Sequence, residues 1–471
     1  MRIRLNFTGP TLQARSSRVN DQLTVNMYAK ATTPGSKAPV VCYSLPGLKS
    51  YASAGLNAHR GEPIKFGSSW FTVSGDGLYE VDSLGVVTQR GTLSSTVGRI
   101  KMAKTFTQLG IVDGSFVYIW DGADFTNVSS GPVSPVWIES INGYFLVVEG
   151  GTQNFNLSGL NDGTTWNPLD YDVAAASSDA LNALSTTTGD VWLLGTESLE
   201  IGYFSGNADF PITKIPGMVF DYGLAARHSL SSLDSNPIWL SQTPRGGPVV
   251  VTAEGRQPKI LSNDDLNWQL SQLTRTDDAV GMCYSQAGDP FYVMSFPTDG
   301  VTYGLDIKTG WWHTREAPDG GMWDVAGMIY FGNRHYACSA HDGSIYELDF
   351  ATHQDNGENR RRARRAAVVD DLATRMTHNS IEFILEVGVG TLTGEGIDPT
   401  VQLRYSDDGG KTWSSNLSQP LGIQGAYRTR VTFDTLGDSY GRIYELSTRH
   451  PVGFTIIDAY LDWTRSATLT P

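Results

Sequence analysis

The 471-residue chain is short of cysteine, of charge and of long apolar runs, and each shortage excludes something. Its three cysteines, Cys42, Cys283 and Cys338, lie far apart and are odd in number. They imply no disulfide framework, so synthesis in a reducing cytosol is expected. No stretch approaches the roughly 18 apolar residues of a membrane span. The opening Met1–Pro10 has no apolar core of the kind that drives a secretory leader, and none is expected. Charged residues make up only 18% of the chain, against 51 glycines and 32 Trp plus Tyr, a balance that suits short strands and tight turns. Positive charge is missing altogether from Thr105 to Thr213, where thirteen acids stand alone. That segment reads either as a solubilising acidic surface or as one that must not adhere to a polyanion.

One phrase recurs four times: Asp-Gly, a short spacer, then an aromatic, one residue, an apolar residue and Asp. It runs Asp76–Asp82, Asp113–Asp121, Asp299–Asp306 and Asp342–Asp349. Asp-Gly tolerates the positive φ of a tight turn. The Tyr and the apolar residue two places on share one face of a strand, and the closing Asp can bond its own backbone to start the next turn. A turn-strand-turn unit repeated along a chain predicts a repeat fold.

From about Tyr51 to Glu358 turn signals fall every 8–12 residues or so, as in all-β proteins. At ~40–45 residues per blade, this span predicts a β-propeller of seven blades, with six as the alternative. The phrase falls in blades one, two, six and seven, and the unmarked blades centre near Phe145, Trp192 and Val250. Stacked sandwiches with similar hairpins are the competing architecture. Residues 1–50 read as an extended N-terminal arm. Residues 359–375, with Arg360, Arg361, Arg362, Arg364 and Arg365, read as a basic linker or short helix. Residues 376–471 alternate again and predict a separate C-terminal β-sandwich-like domain.

Several motifs invite chemistry and fail on context. Ser406–Trp413 fits an Asp box, S-x-D-x-G-x-T-W, with a degenerate copy at Asn161–Trp166. Asp boxes resemble those of sialidases, but there the box is a folding device away from the catalytic residues. Gly410-Lys411-Thr412 lacks the earlier glycine of a phosphate loop, since Tyr405 holds that place. Gly437–Gly441 matches G-x-S-x-G but precedes strand rather than helix text. His335, Cys338 and His341 cannot share one face of a strand. No catalytic residue, metal ligand or cofactor is assigned. The arginine run could bind phosphates, pair with an acidic neighbouring subunit, or be solvated.

Val25-Asn26-Met27-Tyr28, with Leu45-Pro46-Gly47-Leu48 further on, resembles the N-terminus of the packaged-DNA stabilisation proteins of short-tailed bacteriophages, also called tail hub or nozzle proteins. Leu403–Gly409, Gly441-Arg442-Ile443 and Gly453–Trp463 are similar to that family's closing β domain. The resemblance implies a structural virion protein, not an enzyme, made in the host bacterial cytoplasm and carried in the virion tail. It implies a homo-hexameric ring below the portal and its adaptor, the head-to-tail connector. Such a ring extends the channel for double-stranded DNA, retains the packaged genome, and receives a tail fibre, tailspike or needle protein. On that expectation, Arg2, Arg4, Arg15 and Arg18 with the five linker arginines are assembly contacts. Asp113, Asp121, Asp124, Glu139, Glu149 and Asp162 are the acidic lining of the DNA channel, which passes DNA without specific binding. A carbohydrate-binding propeller or a sialidase-like glycan depolymerase is the alternative reading.

Overall fold

The computed structural model describes residues 1–466 apart from 188, 208, 243–245 and 372–373. Regular structure is almost entirely strand, and the one α-helix among the described residues is Asp264–Ser271. Seven four-stranded antiparallel units follow one another: 64–92, 101–128, 135–173, 181–220, 231–260, 280–315, and 327–349 completed by Gly47–Ser53. These are blades 1 to 7 of the expected propeller. In each blade the chain steps outward strand by strand. The first strands of successive blades pack against their neighbours around an axis, and blade 7 returns to touch blade 1. Trp70, Val81, Tyr336 and Ile345 are buried together at that seam.

The ring closes by exchange. Gly47–Ser53, which precedes blade 1 in sequence, pairs antiparallel with Ser344–Asp349 as the outermost strand of blade 7. The chain that leads into blade 1 is thereby hydrogen-bonded into blade 7, which gains an outer partner it would otherwise lack.

The four copies of the repeated phrase occupy one place. Each Asp-Gly is the turn between the second and third strands of its blade, in blades 1, 2, 6 and 7. Gly114 and Gly300 take φ of 90° and 68°, which a side chain would strain. Each closing Asp accepts hydrogen bonds from backbone N–H groups just beyond it: Asp82 from Leu84, Asp121 from Ala123, Asp306 from Lys308 and Asp349 from Ala351. The phrase is scaffold, as its turn chemistry predicts.

The arm and the linker are neither. Met27–Ala31 and Val40–Ser44 join Thr455–Arg465, Met376–Leu385 and Val431–Asp434 in one sheet, with Arg2–Arg4 on the Thr455–Arg465 strand. Asp21–Val25 pairs with Arg362–Arg365, which pairs with Gly441–Thr448, next to Thr400–Ser406, in the facing sheet. Between the two sheets lies a core that includes Phe7, Met27, Phe383, Leu403, Tyr444 and Leu461. The C-terminal sandwich is therefore built from both ends of the chain. Residues 1–50 are woven through it, and the predicted linker is one of its central strands.

The second sheet runs on into the propeller. Val25 pairs parallel with Thr314 on the outermost strand of blade 6, and Asn26 N donates to Thr314 O at 2.9 Å. Tyr28, Leu45 and Leu48 fill a shared core with Met282 and Phe291 of blade 6, Tyr346 of blade 7 and Trp323 of the connection between them. The sandwich thus sits on the rim at the blade 6–7 junction. In a ring of seven, blade 3 lies diametrically opposite.

Replacing Arg364 by Ala should strip donors from the buried carbonyls of Phe7 and Pro10, to which it now hydrogen-bonds. A loss of about 3 kcal/mol or more is expected. Urea unfolding reads it, with exposed Arg428→Ala as a control that should shift stability by less than about 0.5 kcal/mol.

Candidate functional site

The arginine strand obeys a period of two. Arg360, Arg362 and Arg364 point one way and are at most 1% exposed. They donate to main-chain carbonyls gathered from distant parts of the chain. Arg360 reaches Leu45, Arg362 reaches His450 and Val452, and Arg364 reaches Phe7 and, at 2.7 Å, Pro10. Burial pulls Arg362 down to about 9 and Arg364 to about 10. Arg361 and Arg365 point the other way, onto the 1%-exposed Glu445, at 2.8 and 3.0 Å. Arg404 joins them at 2.6 Å, and Arg365 also meets Asp21 at 2.6 Å. Burial alone would raise Glu445, but the charges of Arg361, Arg365 and Arg404 outweigh it and hold its carboxyl below the usual range. Three of the five linker arginines therefore have no free face for a partner, and the other two are committed to Glu445. Glu445 and Asp21 are the residues that sequence reading missed. Glu445 signals itself only as an acid within Ile443-Tyr444-Glu445-Leu446, and Asp21, at the start of its strand, carries no such signal.

The propeller axis holds a cavity of about 170 Å³, lined by Glu62, Lys101, Glu139, Ser185, Ser231 and Cys283, among others. Lys101 sits between Glu62 at 3.9 Å and Glu139 at 3.6 Å, and lies 4.4 Å over the Trp137 ring. Burial pushes Glu139 up, against the pull of Lys101. This space admits small molecules only. A duplex, whose major groove alone is ~12 Å wide, cannot pass through the axis of one propeller.

The six acids expected along one wall fall in three places. Antiparallel strands reverse direction at every turn, so the first and third turns of a blade share one face and the second turn lies on the other. Asp121, Asp124 and Asp162 sit at third turns of blades 2 and 3. Asp113 and Glu149 sit at second turns, on the opposite face, and Glu139 faces the axis. Asp113 is 9% exposed and consumed locally, accepting from Ser95 Oγ at 2.6 Å, Ser115 N and Phe116 N at 2.9 Å and Tyr118 OH at 3.0 Å. Burial would raise its pKa, but these donors lower it overall. Glu149 is half-buried and bonded by Asn154 at 3.1 Å. Asp121 and Asp124 are exposed, with no cation within 4 Å among the described residues. Asp162 is half-buried and accepts from Thr164 N at 3.0 Å and from the hydroxyls of Thr164 and Thr165 at 2.6 Å, with no ion pair among the described residues.

The cation-free segment still has a single location. Residues 105–213 run from the first turn of blade 2 into the last strand of blade 4, a sector centred on blade 3. Three of its acids are matched from outside it: Glu139 by Lys101, Asp172 by Lys214 at 3.4 Å and Asp190 by Arg256 at 2.7 Å. The sector lies opposite the sandwich. There Arg2 and Arg4 pair with Glu382 at 2.7 Å and Asp458 at 2.8 Å while remaining about half exposed. Arg15 lies 4.9 Å over the Trp268 ring, and Arg18 is exposed.

Both Asp boxes close as turns. Asp408 accepts from Lys411 N and Thr412 N at 2.9 Å, and Trp413 donates to Gly410 O at 3.1 Å. In the degenerate copy Trp166 donates to Gly163 O at 2.7 Å. Gly441–Thr448 after the G-x-S-x-G phrase is strand. Trp312, one candidate for stacking on a sugar, is 2% exposed, and its neighbour Trp311 is half-buried against the sandwich core.

Residues 2–353 match the family model described as bacteriophage P22 Gp10, beta-propeller. The chain belongs to that family. It is a phage tail structural protein and a virion component, of a class whose members contact other virion proteins. No curated protein sequence matches it. Among solved structures it is similar to the N-terminal domain of Nup159, with 11% identity over 69% of this chain and 98% of that one and a TM-score of 0.42. It is similar to PorZ of Porphyromonas gingivalis, with 14% identity over 78% and 46% and a TM-score of 0.40. The Pan2 WD40 domain of Neurospora crassa gives 10% identity over 65% and 95%, with a TM-score of 0.40. No helix among the described residues is long and apolar enough to cross a membrane.

In this phage protein the Glu445 cluster makes stability depend on pH. A carboxyl with a lowered folded pKa contributes stability in full above its unfolded value of ~4.3, and loses it as pH falls through the folded value. The stability gap between the native chain and Glu445→Gln should therefore be widest near neutrality and shrink below about pH 4. Urea unfolding of both chains across that range measures it.

Proposed function

We propose that six copies of this chain form the nozzle ring of a short-tailed phage. The ring lies below the portal and adaptor, retains the packaged genome, and receives the distal tail proteins. The observation that carries this reading is the charge division of the rim: a cation-free sector centred on blade 3, and the sandwich with its exposed arginines opposite. DNA is a dense polyanion, and each phosphate held by a cation would slow its passage. Between residues 105 and 213 the chain offers the duplex no Lys or Arg to hold, the lysines of blades 2 and 4 standing at the sector's edges, and its acids repel it weakly. The closed propeller axis supports the same arrangement, because a duplex must then run between copies. In this reading blades 2–4 face the lumen, with Asp121, Asp124 and Asp162 on one rim of it. Arg2, Arg4, Arg15 and Arg18 mark the outer side, where neighbours and tail partners attach. The chain acts as scaffold and conduit, without catalysis.

Native mass measurement should find a six-membered ring, alone or with the adaptor. A chain that stays monomeric beside its tail partners overturns the ring. Changing Asp121, Asp124 and Asp162 together to Lys should slow DNA release at low ionic strength, with recovery as salt screens the new charges. Unchanged release kinetics at low salt would exclude those acids from the lumen.

A further inference from the structure

The innermost strands of the blades begin on the face that carries the second turns, and the mouth of the propeller axis there is basic. Arg99, at the entry to blade 2, reaches past blade 1 and donates from Nη2 to Ala326 O at the entry to blade 7, at 2.9 Å. Arg227, at the entry to blade 5, donates from Nε to Asn182 O and Oδ1 at the start of blade 4, both at 3.0 Å. The next residue, His228, lies with its ring 5.9 Å from that of Trp137 in blade 3, and the same Trp137 carries the Lys101 ammonium at 4.4 Å. Burial pushes His228 well below its ordinary value, and the charges of Arg99, Arg227 and Lys101 push it further, so all three cations stand around one ring.

The two arginines are not spent. Both are half-buried, and neither joins an ion pair among the described residues. Arg99 Nη1 and both terminal nitrogens of Arg227 make no hydrogen bond there, and none of the three is sealed from solvent. Arg60 shows the ordinary outcome, since all three of its nitrogens donate, to Gly98, Gly75, Ser95 and Val97. Burial pulls Arg99 down to about 10, and burial alone lowers Arg227. The acids nearby do not balance the cations. Arg99, Arg227 and Lys101 face Glu62 and Glu139. Glu62 already accepts from Ser231 Oγ at 3.0 Å, and burial pushes Glu139 toward its neutral form. Arg99 also lines a groove of about 530 Å³ whose other charged members are His59 and Arg60, with no carboxylate in its wall. A cation drawn from water without an acceptor costs free energy, and an anion is the partner that recovers it.

We propose that the axial mouth on this face binds a small oxyanion of the phosphate class, gripped by Arg99 and Arg227. The guanidinium is a planar fork of donors that matches phosphate oxygens, and Lys101 adds its charge from the axial cavity. An anion held by both arginines would tie the entries of blades 2 and 5 together across the axis. The inference rests on the propeller alone and does not depend on the six-membered ring.

Isothermal titration calorimetry of the full chain with inorganic phosphate, in chloride buffer at constant ionic strength, tests it. A single site with Kd below about 1 mM is expected. Arg227→Gln should weaken it about tenfold, and Arg227→Lys, which keeps the charge but loses the fork, about fivefold. Arg99→Gln should match Arg227→Gln; should that chain not fold, the two Arg227 variants decide alone. Arg15→Gln with Arg18→Gln removes charge on the sandwich side and should change affinity less than about twofold. No saturable heat by about 20 mM phosphate overturns the site. So does a loss in the Arg15, Arg18 double variant equal to that in Arg227→Gln, which would reduce the effect to diffuse attraction. A short DNA duplex that binds more tightly than phosphate, and loses that advantage in Arg227→Gln, would make the ligand a nucleic-acid backbone and overturn the assignment to a free anion.

Discussion

Three guanidiniums cannot be buried in one short segment, with two more turned onto a buried acid, unless the rest of the chain comes to meet them. That demand organises this structure. Arg360, Arg362 and Arg364 draw carbonyls from Leu45, Phe7 and Pro10 on one side and from His450 and Val452 on the other. Arg361 and Arg365 fix Glu445, and Arg365 also holds Asp21. Without the N-terminal strands these arginines would lie buried and unanswered, at a cost of several kcal/mol for each charge. Without the arginines the N-terminal strands would lose the donors that hold them. The same strand then passes its order to the propeller, because its neighbour Asp21–Val25 also pairs with blade 6.

The propeller was legible because its information is local. Asp-Gly turns, closing aspartates and alternating strands each act within about ten residues, and each did in space what its chemistry allows. The sandwich was not legible as such, because its partners are separated by most of the chain. Asp21–Val25 finds Arg362–Arg365, and Arg2–Arg4 finds Thr455–Arg465. A run of arginines reads as solvated because its neighbours in sequence are polar. The period of two that buries alternate members becomes telling only once acceptors are known to lie on both sides. Tyr28 shows the same limit. It is quoted within the family phrase, yet its place against Phe291 and Asp289 follows from docking, not from local pattern.

The acidic segment shows how composition and topology divide the work. Absence of Lys and Arg over 105–213 could be read directly, and it maps to one sector of the ring. Which face each acid occupies depends on the parity of its turn, and which acids remain free depends on local hydrogen bonds. Asp113 spends its oxygens on its own turn, and Glu139 meets Lys101 in the axial cavity. A charge count therefore locates a region, and strand topology decides which carboxylates in it can face a passing polyanion.

The exchanged strand Gly47–Ser53 has a consequence for the order in which the molecule is made. It leaves the ribosome before any blade, and waits for Ser344–Asp349 before it has a partner. The strand Asp21–Val25 meets blade 6 at Thr314 but waits for Arg362–Arg365 on its other edge, and Arg2–Arg4 waits until Thr455–Arg465 has emerged. At ~5–20 residues per second, that leaves edges of the N-terminal strands unsatisfied for roughly a quarter of a minute to a minute and a half. A chain halted between blade 7 and residue 455 can close its propeller but cannot build its sandwich. The rim thereby takes its final shape only once the strand Thr455–Arg465 is available to pair with Arg2–Arg4 and Met376–Leu385.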